Sequence, residues 1–173
     1  MAIDHRIRLL TPDDVSAYRE LRLKALRDHP DAFGASVEDE TARSPETTAR
    51  RLGAGPANCL FGAFISSRLV GTAGFVIPDG SAKSRHKGLL VGVYVSPDHR
   101  GRAIGRALVQ RVIDHARGHV MLLQAAVGAA NAPALRLYDS LGFRQYGLEE
   151  KALLVGDTYV DEVLIVLDFS DAG

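Results

Sequence analysis

The sequence is short of the features that mark secreted and membrane proteins. It has one cysteine, Cys59, among 173 residues, so no disulfide can form within the chain. It also lacks a charged and then apolar leader ending in small residues, and both observations predict a reducing, cytoplasmic setting. The longest apolar runs fall far short of the roughly 20 residues that cross a bilayer, so we expect no membrane span.

Net charge is also absent. Lys and Arg number 21, as do Asp and Glu, and this balance excludes the general basic coat that holds proteins on nucleic acid or anionic membrane. The 46% hydrophobic and 24% charged residues are typical of a globular protein. A chain near ~150 residues buries roughly two-thirds of the surface that its unfolded form exposes. We therefore expect one domain over residues 1–173, with its core in 6–168.

The hydrophobic pattern predicts short strands that alternate with amphipathic helices. Strands are expected at 6–10, 59–65, 69–77, 89–95, 120–127, 152–155 and 159–167. Helices are expected from Thr11-Pro12 to 28, from Ser44-Pro45 to 52, from 104 to Gly118, and from Asn131 to Gly142. The order βααβββαβαββ indicates an α/β fold, with a mixed sheet and helices on both faces.

The loop after strand 89–95 is suited to an anion. Residues 89–95 are apolar throughout, as in a strand buried on both faces, and the loop leads directly into a helix. There, backbone N–H groups lack helical partners and the helix dipole adds about half a positive charge. The small residues and the arginines of this turn are Gly101, Ala103, Gly105, Arg100, Arg102 and Arg106. Taken alone, they fit a phosphate site and a tight connection with solvated arginines equally well.

The segment 95–105 reads V-S-P-D-H-R-G-R-A-I-G. It resembles the mark of the GCN5-related N-acetyltransferase (GNAT) superfamily, Q/R-x-x-G-x-G/A after a strand ending in V-x-P. Ala103 stands where the family usually has its first glycine, and we expect slightly tighter packing on a pyrophosphate there. The resemblance implies that the amides of 101–106 hold the pyrophosphate of acetyl-CoA. It also implies that the backbone of Val93, Tyr94 and Val95 pairs with the pantetheine arm like an added strand.

A second segment, 131–143, reads N-A-P-A-L-R-L-Y-D-S-L-G-F and resembles the family's N-x-x-A-x-x-L-Y-x-x-x-G-F. Asn131 and Tyr138 are seven positions apart, so they share a helix face at a spacing of about 10 Å. Alone, Asn131 also fits a helix cap and Tyr138 a core position. The resemblance implies that Asn131 contacts the coenzyme and that Tyr138 protonates the departing thiolate. The coenzyme-binding residues implied by both motifs are Val93, Tyr94, Val95, Arg100, Gly101, Arg102, Ala103, Ile104, Gly105, Arg106, Asn131 and Tyr138.

Together the motifs predict transfer of the acetyl group of acetyl-CoA to a primary amine by direct attack. This reaction needs a neutral amine, donors to the thioester oxygen and a proton for the sulfur. A backbone N–H near 93–95 is the natural donor, and Gly92 could permit a bulge that exposes it. The neighbouring strands carry no carboxylate, so no general base is assigned. Our hypothesis is a relay through water toward Asp161 or Glu162.

Several alternatives stay open. A noncatalytic acyl-CoA-binding or sensing module could use the same fold, and a dinucleotide-binding protein is a third reading. We expect no metal site, because Gly118 ends the helix between His115 and His119, and we expect Cys59 to be a packing residue.

The acceptor is also open: a small amine, an amino acid, an antibiotic, or a protein N-terminus or lysine. In the family, the segment between the first two helices and the last hairpin commonly line the acceptor site, which points to 33–46 and 157–162. The acids at 38–40 fit a solvated helix approach as well. A homodimer is likewise left open.

The balanced total charge conceals an uneven distribution. Residues 98–117 carry five Arg against two Asp, while 149–173 carry seven acids against one lysine. This arrangement suits an anionic donor beside the first region and a cationic amine beside the second.

Overall fold

The computed structural model describes residues 5–170. Within them, seven strands form one sheet in the order β1-β2-β3-β4-β5-β7-β6. The strands are β1 (Arg6–Leu9), β2 (Asn58–Ile65), β3 (Arg68–Val76), β4 (Lys87–Val95), β5 (Leu122–Gly128), β6 (Arg144–Val155) and β7 (Thr158–Asp168). The helices are α1 (Val15–Asp28), α2 (Val37–Ala42), α3 (Pro45–Leu52), α4 (Ile104–Arg117) and α5 (Ala132–Ser140).

Neighbouring strands run antiparallel, with β4 and β5 as the parallel pair. The predicted α/β fold with a mixed sheet is confirmed. Between residues 5 and 170, no helix is both long and apolar enough to cross a membrane. The cytoplasmic setting and the organisation of the whole chain as one domain stay predictions.

Helices cover both faces of the sheet, as the alternation along β2 shows. Cys59 and Phe61 pack in the cluster that contains α4 and α5, whereas Leu60 packs in the cluster formed with α1 and α3. Successive side chains of a strand point to opposite faces, so both faces of the sheet contribute to the core. Leu108 and Val112 of α4 are fully buried.

Helix α2 was not predicted from the sequence. Ser36 begins it with a capping box: its hydroxyl accepts the Asp39 N–H at 3.1 Å, and the Asp39 carboxylate accepts the Ser36 N–H at 3.2 Å. Six residues are too few for a helical period to be read. The interpretation of 38–40 as a solvated approach is wrong for Glu40, which is 1% exposed.

Strand β6 is longer than expected, because it begins at Arg144 rather than at 152. Its register to β7 breaks between Glu149 and Leu153. At the break, Lys151 has a positive φ of 54° and donates its N–H to the Asp161 carboxylate at 2.8 Å. Strand β6 lies at the sheet edge with its first half largely exposed, so pairing to β7 rather than a buried face makes it a strand.

The expected bulge at Gly92 is present in β4. Gly74 pairs with Val91 and Thr72 with Tyr94, so Gly92 and Val93 together oppose a single residue of β3. Gly92 has φ +60°, a conformation that glycine adopts without steric cost. The extra residue shifts the alternation of the strand: Leu90 packs on the α4 face, but Tyr94 packs on the α1 face.

Strands β4 and β5 separate soon after they pair. Their register joins Lys87, Gly88 and Leu89 to residues 122–124 and goes no further. Beyond Leu89 the two strands diverge, and the second half of β4 borders a cleft instead of a neighbouring strand.

Burial of Leu108 should dominate the attachment of α4. We expect Leu108→Ala to lower the free energy of unfolding by about 2 to 5 kcal/mol, since it leaves a cavity at a fully buried site. The matched change Leu154→Ala, at a residue that is 62% exposed, should stay within ~0.5 kcal/mol. Urea denaturation followed by circular dichroism measures both. Equal losses would contradict the packing of α4 on the sheet.

Candidate active site

The cleft between β4 and β5 holds two adjoining cavities. The larger, of about 720 Å³, lies against the loop before α4. The smaller, of about 490 Å³, lies against β4, β5 and Tyr138. Phe33, Val93, Asn131 and Leu137 line both, so the two cavities form one elongated space.

The loop before α4 presents unpaired amides to the larger cavity. Gly101 and Ala103 both have positive φ, +73° and +59°, and the first helical bond runs from the Ala107 N–H to the Ala103 carbonyl at 3.0 Å. Among residues 5–170, the amides of 101–106 have no backbone acceptor. Consecutive free N–H groups at a helix N-terminus can bind an anion, which is the role that the sequence predicts for this loop. Gly101, Ala103, Ile104, Gly105 and Arg106 line the cavity.

Ala103 shows why glycine is usual at its position. The residue caps α4 in the left-handed conformation, which costs a residue with a Cβ atom roughly 1 kcal/mol. The alanine therefore holds the loop in a conformation that glycine would adopt freely, and tighter packing on a pyrophosphate stays a prediction.

The three arginines of the loop differ in placement. Arg100 donates from Nε to the Val95 carbonyl at 3.0 Å, and its Nη2 lies 2.9 Å from His29 Nε2. Arg106 donates to the Ser140 hydroxyl at 2.7 Å. Both line the larger cavity, whereas Arg102 is exposed and outside the lining of either cavity. A binding role for Arg102 stays a prediction.

The second half of β4 forms a wall of the larger cavity, through Val93, Tyr94 and Val95. Ser96 donates its N–H to the Val70 carbonyl of β3 at 2.8 Å, and the preceding carbonyl, of Val95, accepts from Arg100 instead. Tyr94 is 6% exposed, and its hydroxyl is buried without a partner among residues 5–170. Burial also raises the pKa of Tyr94. An unpaired buried hydroxyl costs about 1 to 3 kcal/mol.

Asn131 and Tyr138 of the second motif lie along the same space. Asn131 caps α5, with its side-chain oxygen accepting the Ala134 N–H at 3.3 Å, and it also lines both cavities. Tyr138 is 7% exposed and packs edge-on against Phe143. Burial alone raises the pKa of Tyr138 to about 12. Both predicted residues are thus brought to one ligand-sized space.

Of Asp161 and Glu162, the two acids in the relay hypothesis, Glu162 lines a cavity and Asp161 does not. Glu162 lines the smaller cavity together with Tyr138, and burial, with the neighbouring charge of Glu149, raises the pKa of Glu162. Asp161 lies outside the lining of either cavity and accepts the Lys151 N–H instead.

Sequence reasoning missed four lining residues from the first third of the chain: Arg22, His29, Asp31 and Ala32. His29 lines the larger cavity, Arg22 the smaller one, and the ring of Phe33 borders both. Phe33 falls within the segment proposed for specificity, but nothing in the pattern of α1 distinguishes Arg22 from the other arginines of that helix.

Cys59, His115 and His119, for which the sequence predicts no metal site, pack against one another. Cys59 Sγ lies 3.5 Å from His115 Nε2, which also approaches the Pro56 carbonyl at 2.8 Å, and the His115 and His119 rings stack at 4.3 Å. Burial raises the pKa of Cys59 to about 11. Within residues 5–170, no group of three His, Cys, Asp or Glu side chains could hold a metal ion.

Known proteins share both sequence and fold with this chain. The N-alpha-acetyltransferase RimI of Mycobacterium tuberculosis is 37% identical over 98 residues, which cover 57% of this chain and 60% of that protein. Mycothiol acetyltransferase of Acidothermus cellulolyticus is 33% identical over 161 residues, 84% of this chain and 46% of that protein. The chain therefore spans about half the length of the curated relatives that it matches.

A solved acetyltransferase from Salmonella typhimurium, with its cofactor acetyl-CoA, has a TM-score of 0.84 at 23% identity. The match covers 97% of this chain and 95% of that one. A model described as the acetyltransferase (GNAT) family matches residues 18–143. Since that model covers well over half of the sequence and the fold agrees, the chain belongs to the GNAT acetyltransferase family.

Proposed function

We propose that this protein transfers the acetyl group of acetyl-CoA to a primary amine. The observation that carries the proposal is the continuity of the two cavities: an anion site at one end, and a buried tyrosine with a carboxylate of raised pKa at the other. The family membership and the names of both relatives support the same reaction.

Acetyl-CoA would bind along the larger cavity. Its pyrophosphate fits the free amides of 101–106 at the positive end of α4, where the local charge is also basic. Its pantetheine arm would follow Val93 to Val95, which line the larger cavity. The thioester then lies near Val93 and Asn131, which border both cavities.

The bulge in β4 would supply the donor for the thioester oxygen. Two residues, Gly92 and Val93, face one residue of β3, so the backbone ladder is interrupted where the cavities meet. An amide released from the ladder can donate to the oxygen as it gains charge during attack. The amine nitrogen bonds to the acetyl carbon, the carbon–sulfur bond breaks, and the thiolate leaves with coenzyme A.

Tyr138 would assist that departure. With a pKa of about 12, its phenol is protonated throughout the neutral range and always available as a donor. Full transfer to a thiolate whose acid has a pKa near ~8.5 is unfavourable in water. Tyr138 therefore stabilises the departing sulfur by a hydrogen bond, and it completes the proton transfer to the extent that burial destabilises the thiolate.

Glu162 would take the proton from the amine, directly or through one water. It shares the smaller cavity with Tyr138, and its raised pKa makes it a stronger base than an ordinary glutamate. A sensing module without catalysis needs neither group, so their joint presence favours the enzyme over that alternative.

The anion site can be tested at Gly105. A Cβ atom there would meet Val95 Cγ2 at 3.6 Å, so Gly105→Ala should fold and keep its affinity for acetyl-CoA within about tenfold. Gly105→Glu places bulk and negative charge on the cavity wall and should weaken binding by roughly 100-fold. Titration calorimetry with acetyl-CoA measures both. Unchanged affinity in a folded glutamate variant would refute the site.

Loss of the Tyr138 hydroxyl should slow turnover. We expect Tyr138→Phe to lower kcat by at least about tenfold, because it removes the donor to the leaving sulfur, while acetyl-CoA affinity changes little. Thiol release from acetyl-CoA measures kcat, and calorimetry measures affinity. An unimpaired rate would remove the acid role.

Variants of the adjacent acids Asp161 and Glu162 provide a matched pair that tests the assignment of the general base. Glu162→Gln should lower kcat/KM by roughly 100-fold. In the wild type, the plot of kcat/KM against pH should fall on its acidic side at a pH above the ordinary glutamate range, since the pKa of Glu162 is raised. Asp161→Asn should keep the wild-type profile, because Asp161 caps the break in β6. A profile unchanged by Glu162→Gln would exclude Glu162 as the base.

A further inference from the structure

Arg22 gives the smaller cavity a positive wall that the proposed reaction does not use. It projects from α1, its side chain is 13% exposed, and its guanidinium lies 4.9 Å from the centre of the Phe33 ring. Three ionisable residues line this cavity: Arg22, Tyr138 and Glu162. One cationic and one acidic group therefore border the same small space.

The Nε of Arg22 lacks an acceptor. It is buried without a hydrogen-bond partner in the described part of the chain, and Glu40 Oε2, its ion-pair partner, is 3.6 Å away. A guanidinium presents several N–H donors in a planar fork that fits a carboxylate. Arg22 thus lines the smaller cavity as a buried cation whose ion pair is too long for a hydrogen bond.

Arg22 and Arg43 compete for Glu40. Glu40 is 1% exposed and also accepts a hydrogen bond from Arg43 at 3.0 Å, so two guanidiniums share one buried carboxylate. Removal of a guanidinium from water is costly unless the charge is paired and hydrogen-bonded. An anionic group in the cavity would supply a second partner for the charge of Arg22.

We infer that the acceptor is a small amine carrying a carboxylate next to its amino group, as an α-amino acid does. Its carboxylate would bind Arg22, its amino group would lie toward Glu162, and its side chain would contact apolar residues such as Phe33 and Leu153. A cavity of about 490 Å³ suits a small molecule. The inference rests on the proposed acetyl transfer and specifies which amines enter.

The same charges disfavour other acceptors. A polyamine or a lysine side chain brings only positive charge, which Arg22 repels. A peptide N-terminus has an amide where an amino acid has its carboxylate, so it offers Arg22 a neutral acceptor instead of an anion. Hydrogen bonds to an ionised acceptor are roughly twice as strong as neutral ones.

The test compares L-methionine with L-methioninamide as acceptors, together with a short Met-Ala peptide, in a thiol-release assay with acetyl-CoA. We expect the wild-type kcat/KM to be at least tenfold higher for the amino acid. Arg22→Gln should raise KM for methionine at least tenfold and should not lower kcat/KM for the amide, which has no carboxylate for Arg22 to bind, while acetyl-CoA affinity stays within about twofold. The ratio of variant to wild type cancels the different basicity of the two amines.

Arg43→Gln is the matched control, since it removes the other partner of Glu40 but lies outside the lining of either cavity. It should keep the preference for methionine. If Arg22→Gln fails to fold, the double variant R22Q/E40Q removes the buried charge along with its partner and should show the same loss of preference. A wild-type enzyme that acetylates the amide or the peptide as well as methionine overturns the inference and leaves the proposed transferase intact.

A binding measurement separates the inference about the acceptor from the proposed acetyl transfer. With coenzyme A present, N-acetyl-L-methionine should bind at least tenfold more tightly than N-acetyl-L-methioninamide, and Arg22→Gln should abolish the difference. Equal affinities overturn the inference whether or not the protein is catalytic. Absence of thiol release with every amine, alongside preferential binding of the acid, would instead refute the transferase and retain the carboxylate site.

Discussion

The parallel contact between β4 and β5 is the constraint on which the site depends, because it ends after three residue pairs. If the strands had continued side by side, their backbones would have satisfied each other and no space would remain between them. Instead α4 and α5 both begin beyond the diverging strand ends, so their N-termini flank the opening. Ligands of open α/β sheets commonly bind at the carboxyl ends of strands, and this opening follows that rule within a largely antiparallel sheet.

One inserted residue in β4 then adapts the wall of that opening. The bulge at Gly92 reverses the alternation of the strand, so the Tyr94 ring turns to the α1 face and meets His29 and Phe33. The segment between α1 and α2, which contains His29 and Phe33, therefore packs against the cleft. The sites proposed for the acetyl donor and for the amine meet along this wall, since Val93 lines both cavities.

Much of this arrangement could be predicted because it depends on short stretches of sequence. The anion loop, the cap at Asn131 and the bulge at Gly92 each depend on residue types within a few positions of one another. Arg22 could not be predicted, since its importance comes from Glu40 and from a cavity wall that later strands supply. Strand β6 is longer than predicted for a related reason. Its first half is exposed and pairs on one side, so its sequence shows no alternation of apolar and polar residues.

Cys59 has a practical consequence for work on this protein. The only thiol of the chain is 6% exposed, sits beside His115 and has a pKa raised to about 11, so in the folded state it is shielded and almost wholly protonated near neutral pH. In an assay of the proposed acetyl transfer, a thiol reagent would therefore report coenzyme A released into solution, with little background from the protein. A slow rise in reagent signal without substrate would instead report unfolding, so one chromophore can follow both catalysis and the integrity of the α4 face.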